Sequence, residues 1–138
     1  MSVVLDLGAN IECSSKNLID FSIMGGALHK VLFHTEKPRI ALLNIGSEEL
    51  KGNAIIKDTY QLLTENKNTL FDFVGYIEGN NIMDGEVNVI VADGFTGNIA
   101  LKTAEGTSNF IISELKNALT SNLILSLIHI SEPTRRNS

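Results

Sequence analysis

Val87-Asn-Val-Ile-Val-Ala-Asp-Gly-Phe-Thr-Gly-Asn98 is the stretch of sequence that decides the fold. Its first half, 87–92, is an apolar run that predicts a buried strand, and its second half, 93–98, predicts a glycine-containing loop. A helical pattern follows, with Thr96 or Asn98 as its expected first residue. A strand, a loop and a helix in this order are typical of a parallel sheet. One face of the predicted long helix carries Leu101, Ala104, Ser108, Ile111, Leu115 and Ala118.

Three further apolar runs, at 3–7, 39–45 and 70–76, predict strands, and two helical patterns lie between them. The first helix is expected to be capped by Ser14 or Ser15. The alternation predicts an α/β fold with a three-layer, doubly wound, mostly parallel sheet and helices on both faces. The expected core positions are Leu18, Phe21, Gly25, Leu28 and Leu32 in the first helix and Ile56, Tyr60 and Leu63 in the second.

Length and composition exclude several classes of protein. The chain has 138 residues, a formal net charge of −5 and one cysteine, Cys13. An acidic chain without clusters of Lys and Arg is not expected to bind nucleic acid, and a single cysteine excludes an internal disulfide. No stretch reaches the roughly 20 apolar residues of a membrane span, and the first residues lack the pattern of a signal peptide. We therefore expect a cytoplasmic protein.

The last residues need separate treatment. Leu125-Ser-Leu-Ile-His-Ile-Ser-Glu-Pro-Thr-Arg135 matches, in one reading frame, the translation of a transposase adapter used to prepare sequencing libraries. We therefore expect residues 1–124 to be a partial α/β domain and residues 125–138 to be a non-native tail outside the fold. Because the first strand begins almost at residue 1, the domain is expected to be truncated at both ends. Such a piece is expected to fold poorly alone, since parallel strands need neighbours.

Ligands of open parallel sheets bind outside the carboxyl ends of the strands. Four loops are expected at that edge: 6–10, 44–53, 78–79 and 93–98. Glycines let the backbone approach a ligand, and a helix N-terminus after 93–98 would offer unpaired N–H groups to an anion. Lys51 could hold a phosphate as a point charge. The alternative interpretations are tight turns that merely need glycine and a solvated surface lysine.

Familiar catalytic signatures do not occur in these loops. The spacing Gly46-x5-Gly52 does not fit a phosphate loop, and neither a dinucleotide fingerprint nor a nucleophile elbow is present. His29 and His34 do not have the spacing of a metal-binding pair. We therefore expect no metal, no cofactor and no covalent nucleophile, which leaves positioning and electrostatics as the catalytic tools.

Taken together, the loops resemble those of the PlsX family, the bacterial phosphate:acyl-[acyl-carrier-protein] acyltransferases of phospholipid synthesis. The resemblance runs in order and at family spacing from Val3 to about Ser121, although the family's N-terminal Asp-Ala-Met-Gly-Gly-Asp and Gly-Asn-Thr-Gly segments do not occur in this chain. The motifs that carry it are Asp6-Leu-Gly-Ala-Asn10, Ile23-Met-Gly25, Arg39 to Asn44-Ile-Gly46, Glu48 with Lys51-Gly-Asn53, Asp93 to Asn98, Leu101-Lys-Thr103 and Glu105-Gly106.

The resemblance implies a cytoplasmic homodimer with a fold like that of isocitrate and isopropylmalate dehydrogenases and phosphate acetyltransferases. Its partners would be acyl carrier protein and inorganic phosphate, its product acyl phosphate, and a region beyond the long helix could contact the membrane peripherally. The piece itself is expected to be inactive. Two other functions stay open: a coenzyme A-dependent phosphate acetyl- or butyryltransferase, and a non-catalytic module that binds phosphate ligands.

For the intact enzyme we expect phosphate to attack the thioester carbonyl directly, without an acyl-enzyme. Lys51 and the N–H groups of 94–98 would bind the anion, and the side-chain amides of Asn10, Asn44 and Asn53 would orient phosphate or stabilise the oxyanion. Asp6 and Asp93 would order the loops or accept from the ligand. The predicted catalytic residues are Lys51, Asn98, Asn53 and Asn10, and the predicted substrate-binding residues are Asp6, Gly8, Asn44, Gly46, Gly52, Asp93, Gly94, Phe95, Thr96 and Gly97.

Overall fold

The computed structural model describes residues 1–66 and 70–131. Strands and helices alternate as the sequence predicts, which confirms the α/β class. The elements are β1 (Val3–Leu5), α1 (Ser15–Phe33), β2 (Arg39–Leu43), α2 (Ala54–Glu65), β3 (Asp72–Ile77), a 3₁₀ helix (Gly79–Asp84), β4 (Val89–Val91) and α3 (Gly94–Ser131).

The four strands form one sheet in the order β1-β4-β2-β3, and every neighbouring pair is parallel. β4 lies in the centre, with Val89 opposite Val3 on one side and Ile40 on the other. Because all strands point the same way, the loops that follow them meet at one edge of the sheet. The mostly parallel sheet is thereby confirmed.

Helix α1 begins with a capping box in which the Ser14 side chain accepts from the backbone N–H of Asn17. The helix packs closely on the sheet at Gly25, where a Cβ would lie 2.6 Å from Val89 Cγ1. The expected core face is correct as far as Gly25 and wrong beyond it, since Leu28 and Leu32 are exposed.

The residue that replaces them on the buried face of α1 is His29. Its Nε2 lies 3.1 Å from the Met1 carbonyl oxygen and its Nδ1 lies 2.9 Å from the Thr35 hydroxyl. These two hydrogen bonds satisfy both ring nitrogens, so a polar residue can be buried where a leucine is expected. His29 is therefore part of the core.

Two apolar clusters cover the two faces of the sheet. Helices α1 and α2 lie on the same face, since the first cluster combines Cys13, Leu18, Phe21, Ile40, Leu42, Ile56, Leu63, Phe71, Val89 and Val91. The second cluster contains no residue of α1 or α2 and consists of Ala41, Leu43, Ile77, Val87, Ile90 and Ala92, with Val4 and Ile82 packed against it. The three-layer arrangement and the dehydrogenase-like classification stay predictions.

Several element boundaries differ from the expected ones. β1 and β2 end two residues early, at Leu5 and Leu43, because Asp6 and Asn44 bind loop atoms with their side chains. β3 begins at Asp72 and runs to Ile77, with an irregular register at Gly75, whose φ is +101°. β4 is limited to Val89–Val91.

The chain divides into two compact units, residues 1–101 and residues 102–138. In the second unit, the expected core positions Ile111 and Leu115 are half exposed or more. Of the predicted non-native tail, α3 includes residues up to Ser131, and residues 132–138 lie outside the described part. That tail stays a prediction. Within the described residues, no helix combines the length and apolarity that crossing a membrane requires.

Candidate functional site at the carboxyl edge of the sheet

The loop after β1 is organised by the carboxylate of Asp6. Oδ1 accepts from the N–H groups of Gly8 and Ala9 at 3.2 and 3.0 Å, and Oδ2 accepts from the N–H of Asn10 at 2.5 Å. Burial by itself raises the pKa of Asp6, but the three backbone hydrogen bonds, together with one from the Asn10 side chain, outweigh it and hold the pKa below its ordinary value. Asp6 is therefore an ionised anchor for the loop.

Helix α3 begins at Gly94, not at Thr96 or Asn98, because Asp93 acts as its N-cap. Asp93 Oδ1 accepts from the Thr96 N–H at 2.8 Å, and Oδ2 accepts from the Thr96 hydroxyl at 2.9 Å. Residues 94–98, which were expected to form a loop, are thus the first turn of α3. The start of the helix was predicted too late in the sequence.

This first turn is fitted against the β1 loop. The N–H of Gly94 donates to the Asn10 carbonyl at 2.8 Å, and a Cβ on Gly97 would overlap the Asp6 carbonyl oxygen. Asn98 Nδ2 donates to the Leu7 carbonyl at 3.2 Å. Only glycine allows this close approach at 94 and 97, which explains both residues without reference to a ligand.

The same contacts limit what the helix start can offer an anion. The N–H groups of Gly94, Thr96 and Gly97 already have acceptors, in Asn10 and Asp93. The N–H of Phe95 has no hydrogen-bond partner among the described residues. The carboxylates of Asp6 and Asp93 also lie at this helix end, so a bound phosphate would need a cation close by.

The loop after β2 is held by Asn44. Its Nδ2 donates to the Lys51 carbonyl at 2.9 Å, and its Oδ1 accepts from the Ile45 N–H at 2.9 Å. Gly52 has φ +96° and lies so close to Asn44 that a Cβ there would overlap the Asn44 side chain. The Asn44 side chain thereby links the start of the loop to its end. Lys51 is exposed, and the first carbons of its side chain lie beside Gly46.

Asn53 caps helix α2, since its Oδ1 accepts from the Ile56 N–H at 2.9 Å. The capping bond uses the side-chain oxygen and leaves the Nδ2 group, a donor, for a ligand. Asn53 is exposed, as is Asn10, whose side chain hydrogen-bonds the Asp6 carboxylate.

Two clefts open at this edge, both within residues 1–101, and they share one wall. The Asn44 cleft has a volume of about 560 Å³ and is lined by Leu43, Asn44, Ile45, Gly52, Asn53, Ile56, Glu78, Gly79, Asn80, Ile82, Asp93, Thr96, Ile99 and Ala100. The Cys13 cleft has a volume of about 880 Å³ and is lined by Ile11, Glu12, Cys13, Ser14, Leu18, Asn53, Ile55, Ile56, Asp93, Phe95 and Thr96.

The shared wall brings together residues of loops 44–53 and 93–98 that are far apart in the sequence. Asn53, Ile56, Asp93 and Thr96 line both clefts. Of the other predicted residues, Asn44 and Gly52 line the first cleft and Phe95 lines the second. The other predicted residues line neither cleft. Two of them lie in the β2 loop, Gly46 and Lys51. The rest join the β1 loop to α3, and these are Asp6, Gly8, Asn10, Gly94, Gly97 and Asn98.

Cys13 is a lining residue that the sequence analysis did not assign to the site. Its thiol donates to the Asn10 carbonyl at 3.3 Å. Burial raises the pKa of Cys13, and the charges of Asp93 and Asp6 raise it further, against a hydrogen bond from the Gly94 backbone that lowers it. The thiol stays protonated at neutral pH and is a poor nucleophile. Within the described residues, no three His, Cys, Asp or Glu side chains group as metal ligands do.

A family of proteins described as "Fatty acid synthesis protein" has a model that matches residues 1–136. The chain belongs to this family. The phosphate acyltransferase of Pelagibacter ubique (strain HTCC1062) is 69% identical over 134 residues, which cover 95% of this chain and 40% of that protein. The resemblance to the PlsX family is confirmed.

Two further members of the family show the same coverage. The phosphate acyltransferase of Maricaulis maris (strain MCS10) is 48% identical over 91% of this chain and 36% of its own length. That of Moritella marina is 44% identical over 92% of this chain and 37% of its own length. The chain therefore spans about two fifths of the length of its relatives, and the roles of its individual site residues stay predictions.

Proposed function

We propose that this chain is the part of a phosphate acyltransferase that carries the phosphate and thioester end of the active site. The reaction converts an acyl-[acyl-carrier-protein] and inorganic phosphate into acyl phosphate and free acyl carrier protein, for phospholipid synthesis. The observation that carries the proposal is the shared wall of Asn53, Asp93 and Thr96 at the carboxyl edge of the sheet, in a chain that is 69% identical to a phosphate acyltransferase.

The proposed chemistry is one displacement. A phosphate oxygen attacks the thioester carbonyl carbon, the carbon–sulfur bond breaks, and the sulfur leaves as a thiolate that takes up a proton. The protonated state of Cys13 supports a reaction without an acyl-enzyme, since a neutral thiol would not compete with phosphate for the carbonyl.

Lys51 is the proposed counter-charge for phosphate. Among the described residues that line the two clefts there is no Lys or Arg, and the carboxylates of Asp93 and Glu78 make the edge acidic. The Phe95 N–H and the Asn53 side-chain amide are two donors at this edge for which no acceptor is found within residues 1–66 and 70–131. An ammonium group carried by the neighbouring loop would offset the repulsion between phosphate and Asp93.

We further propose that the whole protein is a cytoplasmic homodimer with acyl carrier protein as its partner, no cofactor and peripheral membrane contact. These features follow from the family resemblance. Coenzyme A thioesters as substrates, and ligand binding without turnover, are the competing outcomes of the test below.

The test uses a protein of family length, because the chain spans about two fifths of its relatives. In this chimera, residues 1–124 replace their counterpart in the Pelagibacter ubique enzyme. Phosphate-dependent loss of thioester is measured with acyl carrier protein and coenzyme A thioesters. We expect turnover with the acyl carrier protein thioester. Binding of phosphate without turnover of either thioester would overturn the proposal in favour of a binding module.

Lys51→Ala in the chimera is expected to lower phosphate-dependent turnover at least tenfold and to leave the melting temperature unchanged, because the side chain is exposed. The matched control is Lys57→Ala, which removes an exposed lysine from α2 and should leave turnover within about twofold. Asn98→Ala is expected to lower turnover by a similar factor, with a modest loss of stability, since its bond to Leu7 is lost. Wild-type turnover in both Lys51→Ala and Asn98→Ala would contradict the assignment.

A further inference from the structure

Strand β3 contains an extra residue relative to its neighbour β2. Phe73 lies opposite Ile40 and Gly75 lies opposite Ala41, so Val74 is inserted between two paired positions. Gly75 has φ +101°, a backbone conformation that residues with a side chain rarely adopt. The insertion is a β-bulge, and a bulge changes the face of the sheet to which the following side chains point.

The bulge brings Tyr76 to the same face of the sheet as Phe73. In a regular strand, side chains three residues apart point to opposite faces. Here both residues pack against the first apolar cluster, on the face where α1 and α2 lie. The ring of Tyr60, in α2, contacts both of them, with centroid distances of 5.3 Å to Phe73 and 4.7 Å to Tyr76. These ring contacts fix the direction of the Tyr76 side chain.

The hydroxyl of Tyr76 reaches the β2 loop, where it donates to the Glu49 carbonyl at 3.2 Å. Burial raises the pKa of Tyr76, and the neighbouring Tyr60 and the charge of Glu49 raise it further. The hydroxyl therefore stays protonated at neutral pH and remains a hydrogen-bond donor.

This bond holds the turn that carries Lys51. The Lys51 N–H donates to the Glu48 carbonyl at 3.0 Å, and the Lys51 carbonyl accepts from Asn44 at 2.9 Å, so both partners belong to the same loop. Within the part of the chain that the structure describes, Tyr76 supplies the hydrogen bond that ties 45–52 to another strand. The position of the turn relative to the sheet therefore depends on Tyr76 as well as on Asn44.

We infer that Tyr76 is a positioning residue for phosphate, which orients the turn 48–51 so that the ammonium group of Lys51 faces the anion. The inference rests on the proposed function, in which Lys51 is the counter-charge for phosphate. Tyr76 lines neither cleft and acts through the backbone of Glu49. Because the attraction between two charges weakens with distance, a displaced turn would hold phosphate less well.

Tyr76→Phe tests the inference in the chimera, because it removes the hydroxyl and keeps the ring that contacts Tyr60. Tyr60→Phe is the matched control. It makes the same chemical change in the same aromatic cluster, and no hydrogen bond of its hydroxyl is found within residues 1–66 and 70–131. The measured quantities are kcat and KM for phosphate, KM for the acyl thioester, and the melting temperature.

For Tyr76→Phe, we expect kcat/KM for phosphate to fall by about threefold to tenfold, the effect of losing one hydrogen bond. The KM for the acyl thioester should stay within about twofold, and the melting temperature within about 2 °C. Tyr60→Phe should keep the wild-type values. A wild-type kcat/KM for phosphate in Tyr76→Phe, or an equal loss for both substrates, would overturn the inference.

A double variant separates an action through Lys51 from a general disturbance of the fold. In the Lys51→Ala background there is no ammonium group left to orient, so adding Tyr76→Phe should change kcat/KM for phosphate by less than about twofold. A general disturbance would lower kcat/KM by the same factor in both backgrounds, and that result would overturn the inference.

Failure of the proposed function is distinguishable from failure of this inference. If Lys51→Ala lowers turnover and Tyr76→Phe does not, the inference fails and the proposed function stands. If the chimera shows no turnover, binding of inorganic phosphate is measured by calorimetry. Binding that is weakened at least about threefold in Tyr76→Phe, but not in Tyr60→Phe, supports the inference without the reaction. Equal binding by the two variants, or no binding by the wild type, overturns it.

Discussion

The loops after β1 and β2 lie at the same edge of the sheet but are held in different ways. The β1 loop is fixed by the buried Asp6 carboxylate and by a helix turn that touches it at Gly94 and Gly97. The β2 loop depends on the half-buried side chain of Asn44 and carries the exposed Leu50 and Lys51. The comparison indicates that the β1 loop is held by more buried contacts than the β2 loop.

The largest effect is expected at the contact between α3 and the β1 loop. Gly97→Ala places a methyl group on the Asp6 carbonyl oxygen, which belongs to the backbone and cannot move aside, so we expect a loss of about 3 kcal/mol in the free energy of unfolding. Urea unfolding of the chimera measures this loss of free energy of unfolding. Gly106→Ala, in the same helix but with open space around it, should gain about 0.5–1 kcal/mol. Equal stability of the two variants would show that the contact is not rigid.

Removing the charge of the Asp6 side chain should have the next largest effect. In Asp6→Asn, the three N–H donors lose an ionised acceptor, and the free energy of unfolding at pH 7 is expected to fall by about 1–3 kcal/mol. Because the folded pKa lies below the unfolded value of 3.8, the contribution of Asp6 is full above that value and is lost as the pH falls through the folded pKa.

Urea unfolding at pH 7 and pH 3 distinguishes this charge effect from a packing defect. The difference between Asp6→Asn and wild type should narrow at the lower pH. A difference that stays constant would indicate that packing, not the charge, is the cause.

The smallest effect is expected in the β2 loop. Asn44→Ala removes two hydrogen bonds at a half-buried position, and we expect a loss of about 1 kcal/mol that is confined to the loop. The readout is the rate of trypsin cleavage after Lys51, which should rise severalfold. Asn80→Ala, an exposed asparagine of the same cleft, is the control and should leave cleavage unchanged. A fall in global stability as large as that of Asp6→Asn would contradict the difference between the two loops.

Local patterns predicted the order of the elements, the parallel sheet and a cap at Ser14 or Ser15, because each depends on residues that are close in sequence. The structure selects Ser14 as the cap. The start of α3 was predicted too late because Gly94 and Gly97 favoured a loop. Asp93 followed by Thr96 is itself a capping pattern that indicates the observed start. The outer half of the α1 core face was wrong because the burial of His29 depends on Met1 and Thr35, which bind its ring nitrogens.

The sequence by itself determined the α/β class, the family and the set of loops that meet at the carboxyl edge, since periodicity and motif spacing are local properties of the chain. Only the tertiary structure decided which of those loop residues share a cleft. Asn53 and Thr96 meet there because β4 pairs between β1 and β2. Asp6 and Gly97 are in contact because the first turn of the helix after β4 packs against the loop after β1. Strand order arises from the packing of distant segments, which no local pattern encodes.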